Sequence, residues 1–181
     1  MPIHIGKTPS REGWLGFETD RHLTATKARL YTRCLPCMTG LYEQLAAKPA
    51  AIELTCAWEC WKVTVVLADN DECLRVLEKF QDSFPEESVY GKFGGGVGRQ
   101  TSAVIFHCEE EKRRDEILAL LGELLNREFP GKLPFISRGC GNPYETLLGP
   151  WQGWEKSSPV RFPERLTQVR KGLRESLYKV T

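Results

Sequence analysis

The run Trp61-Lys-Val-Thr-Val-Val-Leu67-Ala-Asp69-Asn-Asp-Glu72 decides how the rest of the chain is read. Val63, Thr64, Val65 and Val66 are β-branched, a composition that crowds a helix and suits a pleated sheet, so residues 61–67 are expected to form a strand. Asp69 stands three residues before Glu72, the spacing of a capping box. Cys73, Val76, Leu77, Phe80 and Phe84 then recur at helical intervals until Pro85 stops the run. A strand that passes directly into an amphipathic helix opens a βα unit.

Working toward the C-terminus, Val89–Phe93 and Thr101–Cys108 flank Gly94-Gly-Gly-Val-Gly-Arg-Gln100, which reads as two strands joined by a glycine-rich hairpin. Glu109, Glu110 and Glu111 favour the positive end of a following helix. Ile117, Leu120, Leu121, Leu124 and Leu125 give that helix one apolar face, and Pro130-Gly131 ends it. Leu133–Arg138 reads as a last strand. The order strand, helix, strand, strand, helix, strand over 61–138 predicts an α+β fold with a ferredoxin-like split βαβ core, a four-stranded antiparallel sheet covered by two helices on one face. Right-handed crossovers place the strand at 61–67 beside that at 101–108. On this reading the start of the first strand, the hairpin and the end of the last strand share one edge.

Residues 1–60 read as an N-terminal cysteine-bearing extension, 61–140 as the ferredoxin-like domain and 141–181 as a Trp/Pro-rich loop with a basic amphipathic helix. Leu23–Arg33 suits a strand or a helix, Pro36 interrupts either, Met38–Ala47 suits a short helix and Ala51–Thr55 a strand. Beyond Asn142 the chain reads as loop, with Trp151 and Trp154 among prolines. A helix from Pro163 follows, with Leu166, Val169, Leu173 and Leu177 on one face.

The chemistry is carried by sulfur. Cys34-Leu-Pro-Cys37 and Cys56-Ala-Trp-Glu-Cys60 are two close pairs, a pattern that lets four thiolates surround one soft metal ion. Cys34, Cys37, Cys56 and Cys60 are therefore the expected metal ligands. The sulfur set alone leaves zinc and an iron–sulfur cluster both open. Cys140, between Gly139 and Gly141, is a further thiol beside Arg138. Cys73 and Cys108 read as core.

A second expectation concerns an anionic ligand, a nucleotide or RNA, at the edge bearing the hairpin. Lys92, Arg99 and Arg138 would supply charge, and Gly94, Gly95, Gly96 and Gly98 exposed backbone N–H groups, with Cys140 alongside. The glycines do not form a P-loop or Rossmann fingerprint, because they lead into a strand. Two other readings compete. Cys34 and Cys37 at the start of a helix near Arg33 would suit a thiol-disulfide redox protein or thiol enzyme, and an exposed sheet face or the last helix would suit a non-catalytic assembly module that docks on another subunit.

Bulk properties narrow these classes. Lys and Arg number 25 and Asp and Glu 24, a formal charge of +1 over 181 residues, so no global field attracts nucleic acid or anionic membranes. No stretch approaches the roughly 18 apolar residues of a membrane span, and the opening residues lack the apolar core of a secretion signal. A soluble cytoplasmic protein is expected, in which seven cysteines serve as reduced thiols and not as a disulfide framework. No residue pattern names a reaction.

Overall fold

The structure, a computed structural model, describes residues 2–10, 13–19, 23–95, 98 and 100–178, with the backbone alone over 23–33 and at 178. Its elements in chain order are β1 (His4–Ile5), β2 (Leu15–Glu18), α1 (Leu23–Gln44), β3 (Ala51–Glu53), α2 (Thr55–Trp58), β4 (Trp61–Leu67) and α3 (Asn70–Ser83). They continue with β5 (Tyr90–Gly94), β6 (Ser102–Cys108), α4 (Glu111–Glu128), β7 (Phe135–Arg138), α5 (Gly141–Leu148), β8 (Ser157–Pro159) and α6 (Leu166–Tyr178). Helices and an antiparallel sheet make this an α+β protein.

The chain divides into two compact units, one of residues 1–30 and 61–137, the other of 31–60 and 138–181. Residues 1–30 join the sheet, and the C-terminal segment joins the cysteine-bearing one. Local sequence patterns mark elements, but they do not say which distant segment each one packs against.

In the first unit six strands lie in the order β1-β2-β5-β6-β4-β7. β4 pairs antiparallel with β6, Trp61 opposite Cys108 and Leu67 opposite Ser102, and β6 pairs antiparallel with β5. β2 adds antiparallel to the outer side of β5, Leu15 opposite Phe93. Alternate residues Val63, Val65, Val104 and Phe106 are buried, with Cys73, Val76, Leu77 and Phe80 from α3 and Ile117, Leu121, Leu124 and Leu125 from α4. Phe106 sits 5.0 Å from Phe80 and 5.2 Å from Phe17 between ring centroids. Cys73 and Cys108 are both buried, as their apolar surroundings in the sequence suggest.

The capping signal is realised. Asp69 accepts a hydrogen bond from the Glu72 backbone N–H at 2.8 Å, and the Glu72 carboxylate accepts one from the Ala68 N–H at 2.6 Å. The hairpin is placed differently from expectation. β5 runs parallel in direction to β4, because both oppose β6, so the turn after β5 leaves the sheet at the Leu67 end and not at Trp61. The glycines there serve close packing. Gly94 has φ +130°, and a Cβ on it would lie 2.7 Å from the Gly13 carbonyl oxygen, so only glycine lets the segment at Gly13 approach.

The second unit has its own core of Leu41, Leu45, Ile52, Leu54, Tyr144, Leu147, Leu148, Trp154, Leu166, Val169 and Leu173. β3 and β8 form a two-stranded ribbon. The Gln44 side chain continues it, donating to the Glu53 carbonyl at 3.0 Å and accepting from the Glu53 N–H at 2.8 Å. Two local expectations fail here. α1 runs through Pro36; a proline inside a helix costs about 3 kcal/mol, offset here by the burial of Cys37, Leu41 and Leu45 just beyond it. The segment after Asn142 is helical and not loop, with Pro143 in the first turn and Tyr144, Leu147 and Leu148 buried.

Two measurements test this account of the sheet unit. Asp69→Ala is expected to lower its stability by about 1 kcal/mol, read as a fall in urea midpoint with no change in thiol reactivity. Burial pushes the Cys73 thiol up to about 12 from 9.0. A folded value above the unfolded one means full stabilisation below pH 9.0 and progressive loss as pH climbs toward 12. Cys73→Ala is thus expected to flatten the alkaline fall in urea midpoint relative to the parent protein.

Candidate functional site: a cluster of five thiols

Cys34 and Cys37 lie one turn apart on α1, hence on the same face. Cys56 is on the four-residue α2, Cys60 follows two residues after its end, and Cys140 occupies the turn between β7 and α5. All five belong to the second unit, and the fold brings them together. The Cys37 and Cys56 sulfurs are 3.0 Å apart, and the Cys140 thiol is in hydrogen-bond contact with Cys34, Cys37 and Cys60. Every cysteine is reduced. Cys37 and Cys60 are buried, Cys34 and Cys140 half-buried and Cys56 exposed.

The backbone is fitted to these sulfurs. Gly139 donates its N–H to the Cys60 carbonyl at 2.7 Å, and a Cβ at Gly139 would collide with the Cys60 sulfur. Residue 139 must therefore be glycine for Cys60 and Cys140 to meet. Tyr144, one turn into α5, donates its hydroxyl to the Cys37 carbonyl at 3.1 Å. Arg138, only 6% exposed, stacks 4.2 Å over the Trp58 ring and donates through Nη1 to the Trp58 carbonyl. Its cation is thereby fixed two residues from Cys140 and against the residue midway between Cys56 and Cys60.

The electrostatics follow from the crowding. Hydrogen bonds with the Cys34, Cys37 and Cys60 thiols, and then burial, hold the Cys140 thiol far above the ordinary range. Burial, and next the Cys37 thiol, raise Cys56. Burial, with nearby Cys37 and Cys140, raises the Tyr144 hydroxyl. Burial and crowding favour the neutral thiol at Cys56 and Cys140, because ionising two touching sulfurs places like charges together.

A divalent ion removes that obstacle. Sulfurs at about 2.3 Å from a tetrahedral ion stand about 3.8 Å from one another, so the Cys37–Cys56 contact would open by less than about 1 Å to match that spacing. Among the described residues no group of three or more His, Cys, Asp or Glu is placed to hold a metal ion.

The helix-dipole support expected for a reactive Cys34 is absent. Both α1 cysteines sit far inside a helix that begins at Leu23, beyond the first turn where the dipole acts. The residues expected to bind an anion fall in both units. Lys92 lies 4.5 Å over the Trp14 ring, Gly94, Gly95 and Gly98 belong to the sheet unit, and Arg138 and Cys140 belong to the other. Gly96 and Arg99 lie outside the described residues. Sequence reasoning missed Gly139, Trp58 and Tyr144; the pattern Arg-Gly-Cys-Gly was the available signal for the first.

Among the described residues no helix is long and apolar enough to cross a membrane. Comparison of the chain with protein-family models, with curated proteins and with solved structures finds no match.

Gly139→Ala tests the fit of the cluster. The added methyl is expected to drive the Cys60 sulfur out, so that Cys60 in metal-free protein is alkylated by a maleimide several times faster, mapped by peptide mass spectrometry. Unchanged labelling would contradict the close approach.

Proposed function

We propose that the thiol cluster is the binding site of one thiophilic divalent ion of the zinc class, and that this centre ties residues 31–60 to residues 138–181. The observation that carries the reading is the meeting of five reduced cysteines, drawn from three separate stretches of chain, linked by the contacts of Cys140 with Cys34, Cys37 and Cys60 and of Cys37 with Cys56. Sulfur ligation selects soft metals, and a shell of four thiolates is the closed kind that leaves no position for water or substrate. The role is accordingly structural and not catalytic. Sulfurs in direct contact suit a single ion better than an iron–sulfur cluster, whose own irons and sulfides must fit between its ligands. The buried Arg138 cation favours the same reading, since four thiolates around a divalent ion carry a net charge of −2.

For the sheet unit we propose a ferredoxin-like core of β5, β6, β4 and β7, extended by β2 and β1. The order β5-β6-β4-β7 and the burial of α3 and α4 against its strands support it.

The test is elemental analysis of protein prepared under reducing conditions, combined with thiol titration before and after a chelator. One ion per chain is expected, with four thiols protected until the ion is removed. Its removal should destabilise the second unit strongly, because a structural zinc contributes on the order of 10 kcal/mol to folding. Metal-free protein with the same thiol protection and thermal stability would refute the reading.

A further inference from the structure

Five thiols are one more than a tetrahedral ion takes, and the geometry separates them into four and one. Cys140 touches Cys34, Cys37 and Cys60, so these three sulfurs gather on the fourth. Cys56 stands to the side. It is exposed where the other four are buried or half-buried, its sulfur contact is with Cys37 at 3.0 Å, and the Thr55 hydroxyl lies 3.8 Å away on its other side. Its carrier is a short helix whose first residue, Thr55, has φ +40°.

We infer that Cys34, Cys37, Cys60 and Cys140 are the resident ligands and that Cys56 is the loading port, the thiol through which a soft divalent ion enters and leaves. This rests on the metal reading above and revises the sequence-based set, in which Cys56 stood in place of Cys140. A closed four-sulfur shell exchanges its ion slowly unless an incoming ligand bonds before an old one departs. Cys56 is placed for that step. Its S–H bond breaks, the proton goes to solvent and its sulfur bonds the ion; the adjacent Cys37–metal bond breaks and that sulfur takes up a proton. Total charge and proton count are unchanged, no oxidant or reductant is needed, and the ion has moved one position toward solvent.

The experiment uses the full chain loaded with one equivalent of Zn²⁺ and follows transfer to excess 4-(2-pyridylazo)resorcinol by absorbance, in parallel with equilibrium competition. Cys56→Ser is expected to keep one ion per chain at near-parental affinity but to release it at least about tenfold more slowly. Cys140→Ser is expected to weaken binding by about 100-fold or more, as loss of a ligand costs at least what loss of a ligand's support does. Cys56→Ala, also at an exposed position, guards against serine acting as a weak ligand and should match Cys56→Ser. Release from Cys56→Ser at the parental rate would overturn the port. Loss of the ion by Cys56→Ser would overturn the division into four and one by making Cys56 a resident ligand. A parental protein that takes up no Zn²⁺ would instead refute the metal reading on which both depend.

Discussion

Sulfur against sulfur is the contact on which the second unit turns. Segments about 80 residues apart in sequence, around Cys60 and around Cys140, can close only because Gly139 has no side chain where the Cys60 sulfur lies. Arg138 and Trp58 brace that closure on one side, and Tyr144 braces Cys37 on the other. Neutral thiols tolerate such crowding as small apolar groups do. Thiolates do not, and the same geometry then calls for a cation at the centre. On the proposed reading the cluster is a plain piece of core when its thiols are neutral and a metal site when they ionise, with the exposed Cys56 beside it as the route to solvent.

The two units hold themselves together by different means. The sheet unit relies on alternate strand residues and the apolar faces of α3 and α4, with Phe106 at the meeting point of Phe17 and Phe80. Burial of this kind scales with apolar area and needs no particular chemistry. The second unit has a smaller regular framework, a two-stranded ribbon and short helices, and places Cys37 and Cys140 with Leu41 and Tyr144 at the core itself. Small cores of this type gain much from a cross-link, which a bound ion supplies without an oxidising environment.

The stretch from Trp61 to Arg138 was legible because its signals are local: a β-branched run, a cap at Asp69, helical spacing from Cys73 to Phe80, an acidic start to α4. The position of the hairpin was misjudged although it followed from the same strands. Two strands that each oppose a third run in the same direction, so the exit of β5 lies beside the exit of β4 and never beside its start. The glycine run suggested ligand approach; at Gly94 the structure adds a packing reason, the Gly13 carbonyl, a partner that no local pattern indicates. Propensity also misread Pro36 and the segment from Gly141, where burial of Leu41 and Tyr144 outweighs the local cost. Four of the five clustered cysteines stood out by spacing. The fifth, Cys140, did so only by its glycine neighbours, and its place among the others is a tertiary fact.

X-ray absorption at the zinc edge, on protein purified under reducing conditions, tests the central claim most directly. The account predicts a single shell of four sulfur scatterers at about 2.3 Å. Protein that holds no metal, or an ion surrounded by nitrogen and oxygen, would contradict it.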